Sequence, residues 1–167
     1  MVRTVPVQRV ATRAGEVLVA IWGLETDFGA NTGKDPIIRG NIFARGGQHG
    51  LQARGGGTIE NNLFLKNPIA LLVGNGSTVR PGGVTASVGG NVFLDSRDMN
   101  GSPRGWAIEL GNIKSATVRD NIIANDSQLK NSAIVLQTAT TATNAADGVG
   151  VNDLTIEDNV IFDWLQA

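Results

Sequence analysis

The chain has 167 residues and a formal net charge of −1, which suits one domain with one continuous core. There is no excess of Lys or Arg to neutralise phosphates, so the composition argues against a nucleic-acid partner. Cysteine is absent and His49 is the only histidine, which excludes disulfides and thiolate or histidine-rich metal sites, and we expect no metal or other cofactor. No signal peptide is visible and no apolar run is long enough to span a bilayer, so we expect no membrane insertion.

The first predicted element is an amphipathic helix over residues 8–28. Apolar residues recur there every three or four positions, and charged residues lie on the opposite side. Gly29 and the Asn-Thr-Gly that follows stop the helix. Such a helix can cap a repeat stack, whose open end exposes strand edges and apolar core. The apolar residues are Val10, Ala14, Val17, Ile21, Leu24 and Phe28.

Part of this segment resembles a helix of a known enzyme family. Residues 16–33, EVLVAIWGLETDFGANTG, are similar to the catalytic helix of the B-type lytic murein transglycosylases, and the similarity continues to residue 39. In that family the glutamate at the position of Glu25 is the general acid/base. The resemblance therefore implies peptidoglycan cleavage through Glu25 as an alternative to a simple cap. A general acid also needs a raised pKa and a positioned substrate, and a lone helix supplies neither.

From residue 37 onwards one pattern recurs five times: a β-branched residue, two small or polar residues, Asn, and two or three apolar residues. The asparagines are 21, 29, 30 and 38 residues apart, which indicates a coil of about 20 residues with polar insertions in some connections. Asn tolerates the left-handed backbone of a sharp bend, and stacked Asn amides can hydrogen-bond as a ladder. We expect both roles at Asn41, Asn62, Asn91, Asn121 and Asn159.

Further strands are predicted at residues 68–73, 106–110 and 132–136. Their alignment gives an outward column of Leu72, Glu109 and Val135 between two inward columns. Residues 49–55 are the equivalent strand of the first coil, where we expect a register shift because Gln52 and Arg54 fit the inward columns poorly. The inward columns are Leu71, Ile108 and Ile134, and Val73, Leu110 and Leu136.

These repeats predict an all-β fold: a right-handed parallel β-helix of about four to five coils over residues 37–167, capped by the helix within residues 1–36. Residues 37–164 resemble right-handed parallel β-helix repeat proteins, a group that includes polysaccharide lyases and hydrolases. The stretches GNIFARGGQHG (40–50) and NPIALL (67–72) look like bacterial members. The resemblance implies a module that binds, or formerly cleaved, an acidic polysaccharide in the periplasm or outside the cell.

The segments that resemble the two families meet at about residues 34–38, where the chain looks like a join. Either end of so short a stack could also pair with another molecule, so end-to-end self-association is a further expectation.

Two groups of residues are candidates for a glycan site. Glu109 follows Arg104 and Trp106, and a carboxylate, an arginine and an aromatic face are the components of a sugar-binding groove. His49 and Arg54 could hold an acidic sugar, since Arg binds a carboxylate with two hydrogen bonds and His can act as a base. The alternatives are a strand glutamate paired with a loop arginine, and ordinary surface polarity on the first coil. A structural fragment without activity is the remaining hypothesis.

Overall fold

The computed structural model describes residues 36–74, 82–97, 104–126, 132–137 and 150–164, together with two short strands, β1 (Val10–Ala11) and β2 (Val17–Leu18). All regular secondary structure in these ranges is β-strand. The same ranges contain no helix long and apolar enough to cross a membrane.

The strands that follow residue 36 form three parallel sheets, and the chain passes through the sheets in turn, which makes this part a parallel β-helix. Five coils are described, the fifth through its first two strands. The first sheet contains β3 (Ile37–Arg39), β6 (Gly57–Glu60), β9 (Val84–Gly89), β12 (Ile113–Arg119) and β15 (Leu154–Glu157). The second contains β4 (Ile42–Ala44), β7 (Leu63–Asn67), β10 (Val92–Ser96), β13 (Ile122–Ala124) and β16 (Val160–Phe162). The third contains β5 (His49–Ala53), β8 (Ile69–Gly74), β11 (Trp106–Gly111) and β14 (Ser132–Gln137).

Aromatic rings stack in the core. In the second sheet Phe43 pairs with Phe64 and Phe64 with Phe93, and their ring centroids are 4.9 and 4.6 Å apart. Such pairs contribute about 0.5–1.5 kcal/mol each beyond the burial of their surface. The first sheet adds a column of β-branched residues to the same core, each at most 7% exposed: Ile38, Ile59, Val88 and Val118.

The predicted inward columns of the third sheet are confirmed in all but one position. Ile134 packs against the core, whereas Leu136 is 54% exposed and lies in β14, the edge strand of this sheet. The remaining four predicted residues are completely buried: Leu71, Val73, Ile108 and Leu110.

The register shift expected in the first coil is wrong. Strand β5 pairs with β8 in the same register that β8 keeps with β11. Leu51 and Ala53, at most 4% exposed, fill the two inward columns. Gln52 lies opposite Leu72 in the outward column, where a polar side chain needs no compensation. The prediction failed because it aligned Gln52 with an inward position.

The five repeat asparagines form the predicted ladder at the corner between the first and second sheets. From the second rung onwards, each Oδ1 accepts two hydrogen bonds from the preceding rung, one from its backbone N–H and one from its Nδ2, at 2.9–3.1 Å. The Nδ2 group also donates to a carbonyl of the preceding coil, as from Asn91 to Ile59 at 2.9 Å. The three central rungs are at most 2% exposed, so their amides replace water by these bonds.

The left-handed residue at each of these corners is not the ladder asparagine, and the sequence prediction is wrong on this point. The residue before each asparagine has a φ between 53° and 67°. That residue makes the bend, which leaves the asparagine side chain directed into the stack. All five bend residues are of types that tolerate the left-handed region: Gly40, Asn61, Gly90, Asp120 and Asp158.

The helix predicted over residues 8–28 is not confirmed. Four of its residues form β1 and β2, which pair antiparallel with Val10 opposite Leu18. The other residues of the predicted helix lie outside the described ranges. The β-branched Val10 and Val17 favour strand geometry, and a spacing of three to four residues does not by itself exclude an extended chain.

Candidate functional site

Polar and aromatic side chains gather on the outer face of the third sheet. Ile69 and Leu72 of β8 are buried but do not belong to the core cluster, whereas the neighbouring Ala70 and Leu71 do. Positions in register with Ile69 and Leu72 therefore face away from the core. They are His49, Trp106 and Ser132 in one column, and Gln52, Glu109 and Val135 in the other.

Hydrogen bonds link three side chains of the first coil. The Nε of Arg54 donates to Oε1 of Gln52 at 2.7 Å, and Nε2 of Gln52 lies 2.9 Å from Nδ1 of His49. Because a guanidinium only donates, Oε1 of Gln52 must face Arg54, and the amide nitrogen must donate to His49. The Nδ1 of His49 is therefore the acceptor, and the neutral ring carries its proton on Nε2.

Burial, followed by the charges of Arg54 and Arg104, lowers the pKa of His49 to about 4. The imidazole is therefore neutral at pH 7. Since Nδ1 already accepts a hydrogen bond and Nε2 is protonated, the ring in this state presents a hydrogen-bond donor and no lone pair for proton abstraction.

Arg104 lies just before β11 and above the ring of Trp106. Its guanidinium carbon is 5.0 Å from the ring centroid, within the range of a cation–π contact. Its Nε is buried and has no hydrogen-bond partner within the described part of the chain. A guanidinium held by an aromatic face, with a donor unused, is suited to binding a carboxylate.

Glu109 lies in the neighbouring column and is 7% exposed. Burial raises the pKa of Glu109, and the charge of Arg104 lowers it to a smaller extent. Its Oε2 has no hydrogen-bond partner among residues 36–74, 82–97, 104–126, 132–137 and 150–164. Buried polar atoms in native proteins are nearly always paired, so the unpaired oxygen of Glu109 indicates a place where a hydrogen-bond donor is missing. A hydroxyl group of a ligand can donate to this oxygen.

The arrangement offers groups that bind anions and hydroxyls. The described residues contain no cluster of three His, Asp or Glu side chains that could hold a metal ion. Two titratable groups with shifted pKa values on one face, one imidazole and one carboxyl, are typical of functional sites.

The structure brings together the two groups of residues that the sequence analysis treated separately. Strands β5 and β11 flank β8 in one sheet, about 10 Å apart at the usual strand spacing. Arg104 acts electrostatically on both His49 and Glu109, so it lies near both groups. Glu25 lies outside the described residues, and its role as a general acid stays a prediction.

Gln52 is the site residue that the sequence analysis missed. It connects Arg54 to His49 and fixes the tautomer of the imidazole. The alternation of Leu51, Gln52 and Ala53 contained the signal, since a polar residue between two apolar ones faces outward on a strand.

Comparison with protein-family models, with curated proteins and with solved structures finds no significant match for this chain. The similarity to polysaccharide lyases and to lytic transglycosylases therefore gains no support from these comparisons. Function has to be argued from the chemistry of the site.

Proposed function

We propose that the outer face of the third sheet binds an acidic polysaccharide. The observation that carries the proposal is the position of Arg104, which lies over Trp106 and acts on the buried carboxyl of Glu109. The Nε of Arg104 and the Oε2 of Glu109 have no hydrogen-bond partner among the described residues. A uronic acid unit carries a carboxylate for the guanidinium, hydroxyls for the carboxyl group, and an apolar ring face for the indole.

A second part of the same face extends the site towards the first coil. Arg54 and the Nε2–H of His49 are donors. His49 lies in β5 and Arg54 directly after it, and β8 separates β5 from the strand of Glu109, β11. Repeated acidic units of one polysaccharide chain can therefore meet a positive group at both ends of the face. This arrangement favours a charged polymer over a single neutral sugar.

Binding without cleavage is the activity that the geometry supports best. A lyase needs a base that removes the proton next to the sugar carboxylate. The neutral His49 does not fit this role, since Gln52 occupies Nδ1 and Nε2 carries the proton. The resemblance to enzymes of this fold is an analogy of fold, and it supports the choice of ligand class without assigning a reaction.

Isothermal titration calorimetry with polygalacturonate tests the proposal. We expect Arg104→Ala to weaken binding about tenfold or more, because it removes a charge-assisted contact to the sugar carboxylate. Glu109→Gln should also weaken binding, because the amide loses the charge that strengthens its bond to a hydroxyl. Raised salt should weaken binding by the wild-type chain.

Arg119→Ala is the matched control, because this arginine is exposed at the end of β12 in the first sheet and pairs with Asp120. It should bind like the wild type. Equal affinity for neutral dextran, an equal loss in Arg119→Ala, or no heat of binding would each overturn the proposal. Unsaturated uronate products in the same samples, detected by ultraviolet absorbance, would show a lyase instead.

A further inference from the structure

The two ends of the described stack carry opposite charge. The first coil, residues 36–56, contains three arginines and no acidic residue, and the last coil, residues 150–164, contains four acidic residues and no basic one. The described coils between them carry both signs. The arginines are Arg39, Arg45 and Arg54, and the acidic residues include Glu157, Asp158 and Asp163.

One pair of opposite charges lies in a single column of the first sheet. Strand pairing leads from Arg39 through Glu60, Gly89 and Arg119 to Glu157. Within the chain, the neighbours Arg39 and Glu60 form an ion pair at 2.8 Å. A copy placed after the last coil would set its Arg39 beside Glu157, with the order of the two charges along the stack reversed.

A second pair lies at the corner that follows the second sheet. Arg45 comes directly after β4 and Asp163 directly after β16, and both have a positive φ, of 55° and 60°. Lys66 and Asp95, the penultimate residues of β7 and β10, are a pair of opposite charges from adjacent coils, 4.0 Å apart. The same junction would therefore bring Asp163 close to Arg45 of the next copy.

The asparagine ladder can also continue across such a junction. In four rungs the backbone N–H donates to Oδ1 of the next rung, and Asn41 of a second copy would supply this acceptor to Asn159. Ile156 lies in the inward column that begins with Ile38, but it is 46% exposed whereas Ile38 is 7% exposed. The last coil therefore has apolar surface that a further coil would cover.

We propose that this chain self-associates head to tail, with the acidic last coil of one copy docked on the basic first coil of a second copy. The contact joins two different surfaces, so it can repeat along the axis of the stack. The end of one coil is small compared with the roughly 1,600 Å² of a stable complex, so each contact is weak. The proposal rests on the two ends and is independent of glycan binding on the third sheet.

Sedimentation velocity of the full chain tests the proposal, over a range from about 10 µM to about 1 mM that spans weak association. The wild type should form species that grow with concentration and shrink with added salt. An acid-end variant, Glu157→Arg with Asp163→Lys, introduces residue types that already occur in the same columns of other coils, so the fold accepts them. This variant should associate at least about tenfold more weakly than the wild type. A basic-end variant, Arg39→Gln with Arg45→Asn, should do the same.

The mixture of the two variants decides the direction of assembly. Each variant keeps one intact end, so an equimolar mixture should give a complex of two copies and nothing larger. Asp120→Lys, in the fourth coil, is the control and should associate like the wild type, and thermal unfolding of each variant checks that it is folded. A monomeric wild type, a mixture that does not associate, or a basic-end variant that associates like the wild type would overturn the proposal.

Discussion

Asparagine acts at the first corner through its side chain. Each of the three central amides of the ladder bonds both to the next rung and to a backbone carbonyl of the preceding coil, and these rungs are buried. Aspartate lacks the two amide donors, and glutamine would place the amide one methylene too far out. The requirement for one short side chain with both a donor and an acceptor explains why the same residue type stands in all five coils.

The central rung should matter more for stability than the last rung. Asn91→Ala leaves the buried donors of Asn62 without an acceptor, and we expect a loss of about 3 kcal/mol or more in the free energy of unfolding. Asn159→Ala removes the same kind of bonds from a partly exposed rung, where water can replace them, and should cost about 1 kcal/mol. Urea denaturation of both variants measures the difference, and equal losses would contradict the role of burial.

His49 should make the stability of the chain sensitive to acid. Its folded-state pKa of about 4 lies below the ordinary 6.5, so the unfolded chain binds a proton more readily between these values. The contribution of His49 to stability is therefore complete above pH 6.5 and is lost as the pH falls towards 4, by about 3 kcal/mol at most. In urea denaturation at pH 7 and pH 4, His49→Gln should lose less stability than the wild type. Identical pH profiles would show that His49 keeps an ordinary pKa.

The corner element illustrates how far the sequence predicts this fold. The asparagine pattern predicted the coils, the parallel sheets and the ladder, because a side chain that stacks on itself must recur in register. It did not predict which residue bends, since Asn can take either role. Only the backbone φ angles show that the residue before the ladder asparagine makes the bend. The position directly before the ladder asparagine is Gly, Asn or Asp in every coil, and these residue types indicated where the left-handed bend lies.

Two substitutions in this column separate the bend from the ladder. Gly90 has a φ of 64°, and an added Cβ would lie 2.6 Å from Oδ1 of Asn61. Gly90→Ala should therefore lower the free energy of unfolding by about 1–2 kcal/mol. Asn61→Gly, at the equivalent bend with a φ of 54°, should be nearly neutral. Chemical denaturation compares them, and a harmless Gly90→Ala would mean that this corner does not need a left-handed residue.

The candidate site was predictable only in parts. Glu109, Arg104 and Trp106 are close in sequence, and so are His49 and Arg54, but nothing in the sequence joins the two groups. The two groups lie on one face of the third sheet because of the register of β5, β8 and β11. The same register shows that Gln52 is in the outward column. The pKa shifts depend on burial by the surrounding chain, which a sequence pattern does not show.

At the scale of the whole molecule, stability should vary along the stack. The described strands of the stack pair only with strands of adjacent coils, so the middle coils are covered on both sides while the last coil exposes Ile156, Val160 and Phe162. We expect amide hydrogen exchange to be slowest in the second to fourth coils and faster in β15 and β16. Exchange followed by mass spectrometry at low protein concentration, where copies are separate, measures this gradient. Uniform protection through the fifth coil would contradict it.

The most direct test of the site is an NMR titration of the Trp106 indole N–H with oligogalacturonate. Trp164, in the last coil, serves as a reference within the same molecule. Binding on the third sheet predicts that the Trp106 signal moves with added acidic oligosaccharide, that the Trp164 signal stays in place, and that a neutral dextran oligomer moves neither. An unchanged Trp106 signal at saturating ligand, or equal shifts with the neutral oligomer, would contradict an acidic-glycan site on this face.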